Sequence, residues 1–257
     1  MASTRSSGER RVYRCSVTAS LRIVRRLLRQ LGFDIHRWPD TSYATQRQQL
    51  IDANDISLVI DVGANSGQYA QHIRDTGYAG RIISFEPLKL PFAALEEAAS
   101  ADPLWDVRRL AIGPATRSLE MYVAANGGAS SSVLAMLDRH RSSAPYANYI
   151  GTETVRQDTL DAQVMSLLDE RIFLKLDLQG YELSALEGAR ATIAHTRVVE
   201  VELSFVDLYE GAPLYTDMVA HLQTCGFSLS TIVPTFRSPE SILLQADAIF
   251  VRESASA

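Results

Sequence analysis

"LVIDVGANSGQYAQHIRDTGYAGRIISFEP", residues 58–87, joins an apolar run, a turn with glycines at 63 and 67, a polar stretch of helical length, a second apolar run and a glutamate before proline. A short apolar run closed by a glycine turn and followed by a helix reads as a buried strand opening a strand–helix–strand unit. Such a unit can hold a dinucleotide, a nucleoside or nothing.

The same alternation continues outward. A helix is expected over "TSYATQRQQLIDAND" (41–55), then the strand "SLVIDV", the helix "GQYAQHIRDTGY", the strand "RIISFE", the helix "LPFAALEEAASA" and the strand "LWDVRRLAIG" (104–113). After an extra strand "RSLEMYVAA" comes an irregular stretch, residues 126–151, with a short helix at most. The rhythm resumes with "RIFLKLDL", "GYELSALEGARATIA", "TRVVEVELSF", "APLYTDMVAHLQTCG", "FSLSTIV" and "ADAIFVRE". Strands and helices in turn predict an α/β fold, a mostly parallel sheet with helices on both faces. Ligands of such sheets bind beyond the carboxyl ends of the strands, which singles out Asp61, Gly63, Asn65, Gly67, Glu86, Ala111, Ile112, Asp177 and Glu202.

The turn excludes two common ligands. A dinucleotide fingerprint needs G-x-G-x-x-G, but Asn65 and Gln68 stand where the second and third glycines belong, and no phosphate-binding G-x-x-x-x-G-K-[ST] occurs. Asp61 beside the turn would repel phosphates and attract an ammonium group. Glu86 offers two acceptor oxygens to a vicinal ribose diol. A nucleoside with a cationic tail and no phosphate describes S-adenosylmethionine.

The 257 residues, 46% hydrophobic and 21% charged, suit one globular domain. The net charge of −5 is uneven: residues 1–40 hold nine arginines against Glu9, Asp34 and Asp40, a surplus of six positive charges that leaves −11 on the remainder. An acidic body argues against a nucleic-acid partner. Within the head, Leu21, Val24, Leu27, Leu28 and Leu31 recur at helical spacing between arginines, a basic amphipathic helix suited to packing on the domain or to peripheral contact with an anionic membrane. Residues 1–40 are therefore read as an extension and 41–257 as the domain. With no secretory signal, no membrane span and only Cys15 and Cys225, a cytoplasmic setting is expected. Of the histidines, His36, His72 and His140 read as surface positions.

"VIDVGANSGQYA", "FEP", "LAIG", "LKLDLQGYELSALEGA" and "VEVELSFVDLYEGAPLYTDMVAHLQTCGF", in order between residues 58 and 233, resemble the FkbM-type S-adenosylmethionine-dependent O-methyltransferases. The resemblance implies a Rossmann-like class I methyltransferase fold, a central seven-stranded sheet whose last strand is antiparallel. It implies Asp61, Gly63 and Gly67 at the methionine end of the cofactor, Glu86 at the ribose and Ala111 with Ile112 at the adenine, with Ala64, Asn65, Tyr69, Pro87 and Asp177 also among the cofactor-binding residues. One departure is "LQGYE" where many relatives carry "VEGxE", so Gln179 lacks the charge of a glutamate.

Methyl transfer to a hydroxyl needs alignment and a base. Asp177 is the first candidate, Glu202 the second, and Lys175 and Glu182 are supporting choices. No metal motif is present, although Asp177, Glu202 and Asp207 are oxygen ligands of the kind Mg²⁺ takes. Residues 126–151, with Tyr146 and Tyr149, are long enough for a lid over a sugar. The reading is an O-methyltransferase acting on a small or lipid-linked glycosyl acceptor. Its alternatives are a non-catalytic cofactor-binding protein of the same fold and a nicotinamide-dependent oxidoreductase.

Overall fold

Leu58–Val62 is buried at every position, as a strand covered on both faces must be. In the computed structural model, which describes residues 42–253, it is the first strand, β1, among the described residues. Before it lies α1 (Tyr43–Ala53), capped by the Ser42 hydroxyl, which accepts from the Thr45 N–H. After it come α2 (Gln68–Asp75), β2 (Arg81–Phe85), α3 (Lys89–Ala99), β3 (Trp105–Arg108), β4 (Ala111–Ile112) and β5 (Arg117–Ala124). Next are α4 (Asp138–Ser143), β6 (Tyr149–Asp158), α5 (Leu160–Val164), β7 (Ile172–Leu176), α6 (Glu182–Glu187) and α7 (Arg190–His195). The last are β8 (Thr196–Ser204), α8 (Tyr215–Thr224), β9 (Phe227–Arg237) and β10 (Leu243–Arg252). The basic amphipathic helix expected before residue 41, with His36, lies outside the described residues.

Seven strands form the central sheet in the order β3-β2-β1-β7-β8-β10-β9. The first five are parallel, and β10 runs antiparallel between β8 and β9. Strand order reverses between β1 and β7, so a crevice opens where the chain leaves these two strands in opposite directions. One face of the sheet packs Leu174, Leu176, Val199 and Val201 against α5 to α8. The other packs Val59, Ile82, Phe173 and Val198 against Ile51 of α1, Ala70 and Ile73 of α2, and Leu95 of α3.

Three elements differ from the sequence reading. "LWDVRRLAIG" is two strands, because Ala111 and Ile112 leave β2 and pair with Gln157 and Asp158 of β6. β6 itself was not anticipated, since "YIGTETVRQD" alternates threonines with charges and shows no apolar period; with β4 and β5 it makes a second, three-stranded sheet. "GYELSALEGARATIA" is two helices, the second capped afresh by the Asp161 carboxylate, which accepts from the N–H groups of Ala191 and Thr192. His140 is buried, edge-on to Tyr209 at 5.1 Å, because α4 turns that face onto a small apolar cluster with Met136 and Leu208.

The two glycines of the turn do different work. Gly63 has φ +82°, and a Cβ there would lie 1.9 Å from the Asp177 carbonyl oxygen, so β1 and β7 can close only over a glycine. At Gly67, φ +87°, a Cβ would come within 2.9 Å of Trp105 and 3.0 Å of Leu95, so this glycine seats α2 against the core. Gly63→Ala should destabilise the protein by about 2 kcal/mol or more, the left-handed backbone cost plus overpacking. Chemical denaturation measures it, and an unchanged midpoint would refute the contact.

Candidate functional site

On the α1–α3 face the sheet is apolar at the amino ends of its strands and ionic at the carboxyl ends. Cross-strand register puts Ser84, Asp61, Lys175 and Glu200 side by side on β2, β1, β7 and β8, with Glu202 opposite Asp247 of β10. Asp177 follows Lys175 by two residues and so faces the same way.

Lys175 is 9% exposed, its ammonium 3.4 Å from Asp177 Oδ2, 3.5 Å from the Gly63 carbonyl oxygen and 3.6 Å from Asp61 Oδ1. Burial alone would lower its pKa; the charges of Asp177, Asp61 and Glu200 outweigh that and hold it above the ordinary value. Asp61 is wholly buried, also accepts from the Ser84 hydroxyl at 3.2 Å, and is shut away beneath Lys175.

Beside this cluster, Glu200 is gripped by Arg47 of α1 through Nε at 2.7 Å and Nη2 at 2.6 Å, and accepts from the Tyr69 hydroxyl at 2.6 Å. Further out, the Gln179 side-chain amide donates to Asp177 Oδ1 at 2.9 Å and to Glu202 Oε2 at 2.8 Å, while its own oxygen accepts from the buried Tyr209 hydroxyl at 2.7 Å. Gln245 donates a second hydrogen bond to Glu202 Oε2 at 2.6 Å. Burial, then the charges of Asp177, Glu182 and Asp247, push Glu202 well above the usual carboxylate range. Asp247 is pushed up to about 7, first by burial and then by Asp177 and Glu200.

These groups border a cavity of about 310 Å³ that runs to the ends of β2 and β4. There Glu86, 5% exposed, accepts from the Asn65 N–H at 3.0 Å and the Leu88 N–H at 2.8 Å, and burial raises its pKa to about 7. Two of its lone-pair sites are used and two remain, enough for a ribose diol. Pro87, Leu110, Ala111 and Ile112 give an apolar slot next to it. The Asn65 side chain donates to the Gly127 carbonyl at 3.1 Å, tying the turn to the strap formed by the stretch 126–151.

The structure brings most of the expected site together. Gly63, Ala64, Asn65, Tyr69, Glu86, Pro87, Ala111, Ile112, Lys175, Asp177 and Glu202 all line the cavity, while Asp61, Gly67 and Glu182 do not. Glu182 is spent on the loop after β7, accepting from the Leu178 and Gly180 N–H groups. Among the described residues no group of three His, Cys, Asp or Glu could hold a metal, and Asp207 is exposed; Gln179 occupies the space between Asp177 and Glu202. The donor set fits S-adenosylmethionine: an acid and an apolar slot for its nucleoside, and an acidic wall for its cationic end. Of the strap, residues 128, 129, 131 and 133 border the cavity, but Tyr149 stacks on Tyr122 at 4.8 Å and Tyr146 is exposed.

Arg47, Gln245 and Asp247 were not anticipated. Arg47 had a signal, since it sits four residues from Tyr43 and from Ile51, on the apolar stripe of its helix.

The Methyltransferase FkbM domain family matches residues 61–229. No curated protein matches the chain in sequence. Similar solved structures include the precorrin-6y C5,15-methyltransferase of Geobacter metallireducens GS-15, at 13% identity and a TM-score of 0.45 over 86% of this chain and 94% of that one. Another is the 1,6-didemethyltoxoflavin-N1-methyltransferase of Burkholderia thailandensis, at 9% identity and 0.43 over 99% and 93%. A third is the ribosomal protein L11 methylase of Lactobacillus delbrueckii subsp. bulgaricus, at 12% and 0.42 over 82% and 80%.

A ribose diol donates hydrogen bonds, so it favours ionised Glu86, whereas the free protein holds a proton there below about pH 7. Affinity for S-adenosylhomocysteine should therefore rise between about pH 6 and about pH 8 and then level off. Glu86→Gln should flatten the Glu86 share of that rise and weaken binding by about 1.5–3 kcal/mol, the worth of charge-assisted hydrogen bonds. Calorimetry across pH reads both, and equal affinities for the two proteins would remove Glu86 from the pocket.

Proposed function

The chain belongs to the FkbM methyltransferase family, and from that premise we propose that it moves a methyl group from S-adenosylmethionine to a hydroxyl of a small or lipid-linked acceptor, a glycosyl unit being favoured. The observation that carries the reading is the pair Asp177 and Glu202, joined through one amide at the edge of the cavity. Bound S-adenosylmethionine supplies a methyl group activated by a sulfonium. What the chain must add is alignment and somewhere for the hydroxyl proton to go.

Asp177 suits the proton acceptor. Its side chain is 38% exposed toward the cavity, and Lys175 and Gln179 each fix one of its oxygens. Glu202 suits the opposite role. Its raised pKa favours the protonated form, and both lone pairs of Oε2 are taken by Gln179 and Gln245, so a proton on Glu202 belongs on Oε1. An open carboxylate beside a buried, hydrogen-bonded carboxyl makes one acceptor and one donor, which suits neighbouring oxygens on a polyhydroxyl compound. Mg²⁺ is the competing device, with Asp177 and Glu202 as its only cavity-lining ligands of those first considered.

The basic head, residues 1–40, suits peripheral attachment to an anionic cytoplasmic membrane surface and hence a lipid-linked acceptor. Among the described residues no helix is long and apolar enough to cross a membrane. Comparing glycolipids of wild-type and deletion cells by mass spectrometry should reveal one lacking the mass of a methylene; an unaltered profile would count against this acceptor class.

Asp177→Asn keeps the size and should leave cofactor affinity intact while lowering turnover by roughly 10²-fold or more, the usual worth of a positioned base. EDTA should not affect the unmodified enzyme. Full activity in the variant would move the centre to Glu202, and loss with EDTA restored by Mg²⁺ would establish the metal. Separately, removing residues 1–30 should abolish sedimentation with anionic liposomes at low salt and preserve S-adenosylhomocysteine binding; persistent sedimentation would detach the head from the membrane role.

A further inference from the structure

We infer that Arg47, delivered by α1 from outside the family-matched segment, binds the carboxylate at the methionine end of the cofactor. The inference rests on S-adenosylmethionine being the cofactor and adds a residue to its site.

Charge makes the first part of the argument. Five carboxylates line the cavity, Glu86, Asp177, Glu200, Glu202 and Asp247, against two cations, Arg47 and Lys175. A ligand carboxylate entering so acidic a space is excluded unless a cation with an unused donor meets it. Donor counting then separates the two cations. The Lys175 ammonium donates to Asp177 and the Gly63 carbonyl and is ion-paired at 3.6 Å with the buried Asp61, so all its charge is engaged within the protein. Arg47 has five N–H bonds and directs Nε and Nη2 at Glu200; among the described residues Nη1 has no partner.

Position makes the second part. The Arg47 guanidinium lies over the Tyr69 ring at 4.9 Å and over Tyr43 at 5.0 Å, and the Lys175 ammonium lies over the same Tyr69 ring at 5.2 Å. Tyr69 stands in the first turn of α2, two residues after Gly67, on the side of the cavity away from Glu86 and the apolar slot. With the nucleoside at Glu86, the amino-acid end of the cofactor points toward Tyr69. Arg47 is 7% exposed, packed against two tyrosine rings and held along one edge by Glu200, so its Nη1 edge is positioned before any ligand arrives.

The test compares ligands with and without the carboxylate by calorimetry. S-adenosylhomocysteine has the whole tail, and 5′-methylthioadenosine ends at the thioether. Arg47→Gln should weaken S-adenosylhomocysteine on the order of tenfold to a hundredfold, the range for a charge-assisted hydrogen bond, and leave 5′-methylthioadenosine within about twofold. An equal loss for both ligands, or none for either, overturns the inference. Should the single variant not fold because Glu200 is left buried and unpaired, Arg47→Gln with Glu200→Gln removes both charges together and must show the same selective loss. On the unmodified protein, decarboxylated S-adenosylmethionine should bind at least about tenfold more weakly than S-adenosylmethionine, and equal affinities overturn the inference without any variant. If the unmodified protein binds none of these nucleosides, the cofactor reading itself falls and the inference with it.

Discussion

A lysine ammonium buried in the middle of a parallel sheet constrains everything around it. Lys175 stands on β7 with neighbours on both sides, and an unpaired ammonium there would give up its proton rather than remain charged. It stays charged because three acceptors converge on it, and they come from separate features of the chain: Asp61 at the end of β1, the carbonyl of Gly63 in the turn, and Asp177 just beyond β7. Each is needed for the others. Without the glycine the turn could not approach the Asp177 backbone, and without Asp61 the ammonium would lose its deepest partner, a loss of about 3–5 kcal/mol for a broken buried pair. One charge thus ties the turn after β1 to the loop after β7 at the mouth of the crevice.

That charge also explains why so many acids share one small space. The row Asp61, Glu200, Asp177, Glu202 and Asp247 would repel itself apart were it not interleaved with Lys175, Arg47 and three amide or hydroxyl donors, Gln179, Gln245 and Tyr69. The balance remains negative at the cavity wall. A ligand bearing a sulfonium and an ammonium against one carboxylate meets a complementary field, whereas a pyrophosphate would be repelled along the same wall. The glycine spacing and the electrostatics exclude a dinucleotide for independent reasons.

Most of this was legible from the chain because a parallel strand buries all its positions and delivers its polar residues at one end. "LVIDVG", "RIISFE" and "RIFLKLD" each announce their last acid or base by contrast with the apolar run before it, and Asp61, Glu86, Lys175 and Asp177 lie where that contrast puts them. The same rule fails for β10. It runs antiparallel beside β8, so Gln245 and Asp247, near its beginning, share the ionic edge that the other strands reach at their ends. Inspecting the residue after each apolar run looks at the wrong end of that strand. What sequence could not assign was the division of labour among acids: Asp61 and Glu86 read as cofactor ligands and Glu182 as a supporting catalytic choice, yet one binds a lysine, one faces the cavity and one holds a loop. Those fates depend on which neighbours arrive from distant parts of the chain.

Gln179 shows how such neighbours set chemistry at a position that sequence alone leaves ambiguous. Its backbone is left-handed, φ +52°, and its carbonyl accepts from Ser132, so the side chain leaves the loop in one fixed direction. The Tyr209 hydroxyl donates to its oxygen, which obliges the nitrogen to face Asp177 and Glu202. A glutamate in that place would have no hydrogen to give to Asp177 unless it were protonated, and ionised it would set a second negative charge against Asp177. The amide therefore does what a carboxylate could not. It lets two carboxyls stand one bridging group apart, with Glu202 raised by its burial and by the charges around it while Asp177 keeps an oxygen paired with Lys175 and a face open to the cavity.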